Sequence, residues 1–531
     1  MSMPVGCEVI AVAAGCSKRL HEPPALCGSR RRVRSYGMNE MSACALPPPR
    51  ALNTFVTPSE CSRMTVNTMA ANVAAGRRKP AVSIAAVAVL MAAWIVATCG
   101  QRAAASPFVP GQLPSHPVAL VGGTVHTVDG ETIENGVVLF KAGKIVAVGK
   151  VGDSRLSIPA DAETIDVSGK HVYPGLFDAH THVGLVEVDS IRATRDQAET
   201  GLINPNVKAQ VAFNPDSEHI PVTRAGGVLA ALAAPSGGLL TGTSSVMRLD
   251  GWSWEDMAVR PTAGMHLIWP RAIPVRTWAN DNNATDQLKE RAERLKQIRE
   301  AFESARAYQR AKASRGQPGA TTTKSDARWE AMLPVLKGEL PLIVSANEIT
   351  QIQEAVAFAA EQKVKLIIFG GYDAGHCAEL LKQHDVPVII SGVNRLPQRR
   401  DDGYDAPFTL AARLEKAGVR FCISGDESTG NVRNLNHHAA VAAAFGLSRE
   451  SALRAITLSP AEILGVENRL GSLTPGKDAT LIVTSGDILE LTTKVEQAYI
   501  GGRPVDLSNR HTELWKKYRE KYRRQAEQAA E

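Results

Sequence analysis

The chain has 531 residues, enough for one large α/β domain with a smaller companion, and a net charge of +6 with 44% hydrophobic residues. That charge is not spread evenly: residues 1–105 hold twelve Lys and Arg against four Glu, so the rest of the chain carries a net −2, which speaks against nucleic acid as a partner. Six of the eight cysteines precede residue 100, leaving only Cys377 and Cys422 in the body, too few for a disulfide framework or a cysteine-rich zinc motif.

Residues 1–68 show no sustained hydrophobic period and read as a disordered extension or as sequence upstream of the true start, with translation expected to begin at Met64 or Met69. Residues 69–105 then run from a basic cluster, Arg77 to Lys79, through an apolar stretch from Ala81 to about Thr98, to the small residues Ala103, Ala104 and Ala105. This is the order of a secretory signal cleaved after Ala105. Its alternative is an uncleaved membrane anchor through residues 81–98. Either way the body is expected outside the cytoplasm, periplasmic or secreted.

From Pro117 to about Lys150, short β-branched runs alternate with Gly, Asp-Gly and Gly-Lys turn signals, the pattern of antiparallel hairpins. Beyond "HVYPGLFDAHTH" the pattern changes. Apolar runs of strand length at 226–235, 263–270, 340–348, 364–371, 386–392 and 419–426 are separated by helical stretches. Strands covered on both faces with helices between them predict a parallel α/β sheet or barrel, and with the His180 strand seven of them are recognisable. Residues 234–252, "APSGGLLTGTSSVMRLDGW", read as a Gly/Ser/Thr-rich loop forming a pocket wall. Leu288, Leu295, Ile298, Phe302 and Ala305 recur at helical spacing and predict a long amphipathic helix, followed by a loop, "GATTTKSD". Ser459 and Pro460 open a short helix that Gly465 ends, "LTPGKDATLIVTSGD" returns to hairpin chemistry, and a charged tail closes the chain. The β unit is therefore expected to be built from both ends of the chain around an inserted barrel.

His180 and His182 alternate on one strand, so both side chains can face the barrel mouth and grip one ion, with a hydrogen-bonding pair as the bland alternative. Asp426 occupies the corresponding place after the last strand, where a carboxylate can bind metal, act as a base or cap the loop.

"VYPGLFDAHTH", "GDES" after a strand, and "ITLSPAEILGVENRLGSLTPGKDATLIV" together resemble the amidohydrolase superfamily, specifically its imidazolonepropionase-like metal-dependent hydrolases. The resemblance implies a distorted (β/α)₈ TIM barrel over 171–466 with a β-sandwich from the flanking segments 117–170 and 467–507, and residues 508–531 left as the tail. It also implies a metal site built from the first-strand His-x-His, a carboxylated Lys or a Glu on the fourth strand, a His on each of the fifth and sixth, and an Asp on the eighth. Water activated there attacks an amide or related carbon while the Asp moves the proton. His180, His182 and Asp426 match that pattern. Ser345 stands at the fifth-strand histidine, the sixth strand offers Phe369, Gly370 and Gly371, and no convincing fourth-strand Lys is found.

A mononuclear centre, one Zn or similar divalent ion on two His and one carboxylate, satisfies the ligand count of a catalytic zinc and replaces the binuclear one. Glu187, His219, Ser345, Glu348 and His437 are the further pocket candidates, each with a surface or structural role as its alternative. The expected activity is hydrolysis of a C–N bond in a small amide, cyclic amide or peptide-like molecule. The competing reading is a binding protein on a catalytically retired scaffold.

Overall fold

The computed structural model describes residues 107–275, 283–314, 324–425 and 428–530. They belong to the second of two compact units, Trp94–Glu531. The extension, the signal or anchor segment, most of the "GATTTKSD" loop and Asp426 lie outside the described residues. Among the described residues no helix is long and apolar enough to cross a membrane.

The first sheet takes strands from both sides of the barrel. From the N-terminal side come β1 (Val118–His126), β2 (Thr132–Lys141), β3 (Lys144–Lys150), β4 (Glu163–Asp166) and β5 (His171–Pro174). The barrel strands β6 to β13 intervene in the chain before β14 (Leu481–Thr484), β15 (Val495–Ile500) and β16 (Arg503–Pro504) return. The order is β16-β15-β14-β5-β1-β2-β3, with β4 also along β1. The two chain segments are joined by the antiparallel β5–β14 ladder, from His171 opposite Thr484 to Pro174 opposite Leu481. The β2–β3 hairpin turns at Ala142 and Gly143, both at positive φ (49° and 83°), as a two-residue turn matched to strand twist requires. A Cβ at Gly143 would lie 2.9 Å from the Gly501 carbonyl oxygen, so glycine there also lets the N- and C-terminal segments approach. Val118, Leu120, Phe140, Ile145, Leu481 and Val483 share its apolar core. What the hydrogen bonding defines is one continuous sheet drawn from both flanks.

In this sheet His126 Nε2 sits 2.9 Å from His171 Nδ1, and the His126 ring stacks on Tyr173 at 4.2 Å. Burial, and then the neighbouring His171, lower the His126 pKa to about 4, against the upward pull of Asp487 and Glu134. Below an unfolded value of about 6.5 the unfolded chain takes up a proton that the folded chain refuses, so this group's contribution to stability is lost as pH falls from there toward 4. His126→Gln is therefore expected to flatten the acid limb of a melting-temperature profile between pH 7 and pH 4. An unchanged slope would contradict the assignment.

The second sheet is the barrel: β6 (Leu176–Thr181), β7 (Val228–Ala233), β8 (Leu240–Arg248), β9 (Ala258–Ile268), β10 (Leu342–Ala346), β11 (Leu366–Gly370), β12 (Val388–Ser391) and β13 (Phe421–Ser424), hydrogen-bonded in that order. The end strands β6 and β13 lie side by side, and the Gly425 N–H donates to Asp178 Oδ2 across the seam at 3.2 Å. Phe177, Leu232, Ile343, Ile367, Ile389 and Cys422 form the cluster inside the barrel. The intervening residues of the same strands, such as Leu229, Val344 and Ile368, pack outward with the helices. Burial on both faces is why these strands read as unbroken apolar runs.

The expectation of a parallel sheet fails at one place. Residues 240–248, read from sequence as part of a pocket-wall loop, form β8, which runs antiparallel to both β7 and β9. It is the missing eighth strand. A turn with Gly237 and Gly238 at positive φ reverses the chain, too short a connection for a parallel crossover. The long helix is observed over Ala284–Ala313, with the Asn283 side chain accepting from the Asp286 N–H at 2.9 Å. It buries Ile298, Phe302 and Ala305, whereas Leu288 near its start stays exposed. The short helix after β13 spans Leu458–Ile463, so Thr457 and not Ser459 occupies the cap, and Gly465 follows its end at φ +64°. The tail is a helix, Arg510–Ala530, that buries none of its residues.

Candidate functional site

His180 lies near the C-terminal end of β6 and His182 just beyond it, both buried. The β6–β7 register is irregular between Asp178 and Thr181. Asp178, wholly buried, holds this end of the strand: its Oδ1 accepts from the His180 N–H at 3.1 Å while its Oδ2 accepts from Gly425, next to Asp426. One carboxylate thus ties the histidine pair to the loop that carries the expected aspartate. A Cβ on Gly425 would come within 3.0 Å of Asp178 Oδ2, so this approach needs glycine.

The imidazole rings of His180 and His182 are 6.1 Å apart. A third buried imidazole joins them. His266, on β9, has its ring centroid 5.5 Å from that of His180, and Phe369 stacks on His180 at 3.5 Å with 13° between the planes. With β8 counted, β9 is the fourth barrel strand, β10 with Ser345 the fifth and β11 with Phe369 the sixth. His266 escapes the sequence pattern because, without β8, its strand counts as the third, where no ligand is expected. The available signal was a lone histidine in the apolar run "GMHLIW".

Two of the three rings, His180 and His266, sit where charge is penalised. Burial lowers the His180 pKa well below its ordinary value, with His266 and His182 adding to the effect. Burial, then His182, lowers that of His266 to about 3. Neutral imidazole is the form that binds a metal. His180 Nδ1 and His266 Nε2 are buried without a hydrogen-bond partner among the described residues. Such atoms cost about 1–3 kcal/mol each when left unsatisfied, so this donor set fits a divalent ion chemically. As the described residues stand, no three His, Cys, Asp or Glu side chains are already gathered around a single ion position, and Asp426 is not among them.

The other candidates divide by environment. His219 begins the helix His219–Ala225, and its Nε2 donates to the Glu187 carbonyl at 2.9 Å and lies 3.4 Å from Thr429 Oγ1, on the loop after β13. The Glu187 side chain accepts from Asn214 at 3.2 Å. Glu187 and His219 therefore stand together, joining the loops that leave the first and last barrel strands. Ser345 is half-buried on β10, opposite Phe369 in the ladder. Glu348 is buried and fully engaged: Oε1 accepts from Arg271 Nε and Nη2 at 3.0 and 2.7 Å, and Oε2 from the Ala272 and Ile273 N–H groups at 3.1 and 3.3 Å. It clamps the chain leaving β9.

His437 is half-buried in an outer groove beside Val222, Arg433 and Leu507. The next histidine, His438, is instead buried, accepting at Nδ1 from the Val393 and Asn394 N–H groups at 2.9 and 3.1 Å to hold the chain leaving β12. Gly370 has φ +96° and a Cβ there would meet Asn347 Oδ1 at 2.6 Å, so it is a backbone position that excludes a side chain. His376 is exposed in the short turn Ala374–His376. A concavity of about 770 Å³ lined by Arg260, Lys337, Lys365 and Arg420 opens beside the N-terminal ends of β10 to β13, the end of a barrel opposite to its chemistry.

With this geometry in hand, the likenesses to known proteins fall into place. The Amidohydrolase family pattern matches residues 171–505. The crystal structure of an amidohydrolase from Thermotoga maritima MSB8 is 28% identical, covers 73% of this chain and 99% of its own, and superposes with a TM-score of 0.65. An imidazolonepropionase of Rhizorhabdus wittichii is 24% identical over 425 residues, 72% of this chain and 94% of its own length. Amidohydrolase tasK of Hapsidospora irregularis is 23% identical over 416 residues, 71% of this chain; the match spans only 41% of that protein's length. The barrel of the described residues, its flanking sheet and these likenesses agree, and the chain belongs to the amidohydrolase family, with an imidazolonepropionase-like character.

Proposed function

We propose that this protein is a metal-dependent hydrolase that opens a C–N bond in a small amide, cyclic amide or peptide-like molecule. The observation that carries the reading is the buried His180–His182 pair at the C-terminal end of the first barrel strand, tied through Asp178 to Gly425, the residue before Asp426. The likeness to an imidazolonepropionase over most of its length supports the same class of reaction. One divalent ion, zinc by the nitrogen-rich donor set, would be held by His180, His182 and Asp426. When bound, such an ion supplies a water-derived nucleophile at neutral pH and polarises the bond under attack.

The chain's own residues do the rest. Asp178 fixes the backbone on which His180 is presented, and Phe369, flat against the His180 ring, sets its plane, with Phe369, Gly370 and Gly371 on the sixth strand in place of a histidine. That replacement supports one ion rather than two. Asp426 moves the proton between water and leaving nitrogen, and His219, held by the Glu187 carbonyl in the β6–β7 connection, lies 3.4 Å from Thr429 on the loop leaving β13. We further propose export through residues 69–105, by cleavage or by anchoring through 81–98, and a small molecule rather than nucleic acid as the partner.

Activity against a panel of cyclic amides, N-acyl amines and dipeptides is expected to disappear on treatment with a chelator and to return with stoichiometric Zn²⁺. Turnover indifferent to the chelator would contradict the proposal. Ser345 and Gly370 at two expected histidine positions favour the second reading, a ligand-binding protein on the same scaffold, which predicts bound small molecule without turnover.

A further inference from the structure

Ser345 leaves the fifth strand without an imidazole, yet three are present in the barrel. His266 is on the neighbouring strand and one interior layer deeper: in the β9–β10 ladder Ile268 lies opposite Ser345, and His266 opposite Ile343. Its ring meets that of His180 at 5.5 Å and 56°, tilted and not stacked. A structural histidine in a core normally satisfies its ring nitrogens with neighbouring donors or acceptors. His266 is only 3% exposed, and its Nε2 has no partner among the described residues.

Two imidazoles sharing one tetrahedral ion hold their ring centroids about 5 Å apart, by the usual zinc–nitrogen distance. The two observed separations from His180, 5.5 Å to His266 and 6.1 Å to His182, lie slightly above that value.

We infer that His266 is a ligand of a divalent transition-metal ion, the fourth strand supplying the third imidazole that the fifth strand lacks. The inference rests on the metal-dependent reading above and adds a ligand to it.

The test uses the full chain loaded with Co²⁺ alone, read by metal content and by visible absorption. The wild type is expected to hold one ion with the spectrum of a nitrogen-rich site. His266→Ala is expected to weaken binding at least ~100-fold and to shift the ligand-field bands, as loss of one of about four ligands requires. His266→Cys, a smaller change that keeps a ligating side chain, is expected to retain the ion and to gain an intense near-ultraviolet thiolate-to-cobalt band, which no purely structural role at 266 produces. An ion bound by His266→Ala with wild-type affinity and spectrum, or by His266→Cys without the thiolate band, overturns the inference and leaves the metal-dependent reading standing. A wild type that binds no Co²⁺ overturns both.

Discussion

Alanine at His180 and His182 together is expected to abolish hydrolysis and bound metal. Metal catalysis contributes several kcal/mol of transition-state stabilisation, which is about 10³–10⁴ in rate. Because His180 also stacks on Phe369, its removal opens space against that ring and costs some stability, so the double variant needs a melting curve beside the assay. His182 stacks on no ring at that distance, and His182→Gln separates loss of the ligand from loss of packing. Turnover retained in a folded double variant would sink the mechanism.

Asp250→Ala is expected to lower stability by about 3–5 kcal/mol, read as a fall in melting temperature of about 3–6 °C. Arg224 and Asp250 form an ion pair at 2.6 Å with side chains 3% and 6% exposed. The Arg224 guanidinium also donates to the carbonyls of Leu249 and Pro107. Burial is the leading influence on both partners, pushing the Arg224 pKa down and that of Asp250 up, each against the opposing pull of the other. Arg224 Nε and Asp250 Oδ2 have no partner among the described residues. The pair is thus a weak net stabiliser, but either member alone is an uncompensated buried charge. The double variant Arg224→Met, Asp250→Leu is expected to recover most of what Asp250→Ala loses. A double variant no better than the single one would show that the pair itself, and not the orphaned charge, carries the energy. Arg224 lies at the far end of the helix that begins at His219, so the pair anchors that helix beside the N-terminal start of β7.

The barrel and its companion sheet were legible because their signals are local. Burial on both faces writes β7, β10 and β11 as continuous apolar runs, and the Asp-Gly and Gly-Lys turn signals mark the hairpins of the first sheet. β8 was illegible for the converse reason. Its Thr241, Thr243, Ser244 and Ser245 are loop-like in composition, but they are buried, and Thr243 and Ser245 are satisfied by partners remote in sequence, Ser245 Oγ donating to the Pro261 carbonyl at 2.6 Å and Thr243 Oγ1 to the Val207 carbonyl at 3.2 Å. Missing that strand shifted the count and hid His266.

Glu348 shows a different limit. A carboxylate at a strand end has the chemistry of a base, and only its four N–H donors, brought from the chain after β9, reveal a clamp. His437 and His438 are adjacent in sequence, yet helix geometry sends one to an outer groove and the other to the loop beyond β12. The His-x-His motif itself needed no tertiary information, because two residues on one strand end carry it alone.

Metal content per chain, by elemental analysis of the purified wild type beside His180→Ala, tests the account most directly. About one tightly held divalent ion, lost in the variant, is the predicted result. No ion after incubation with zinc, cobalt or manganese would contradict it and make the protein a binder on a retired hydrolase scaffold.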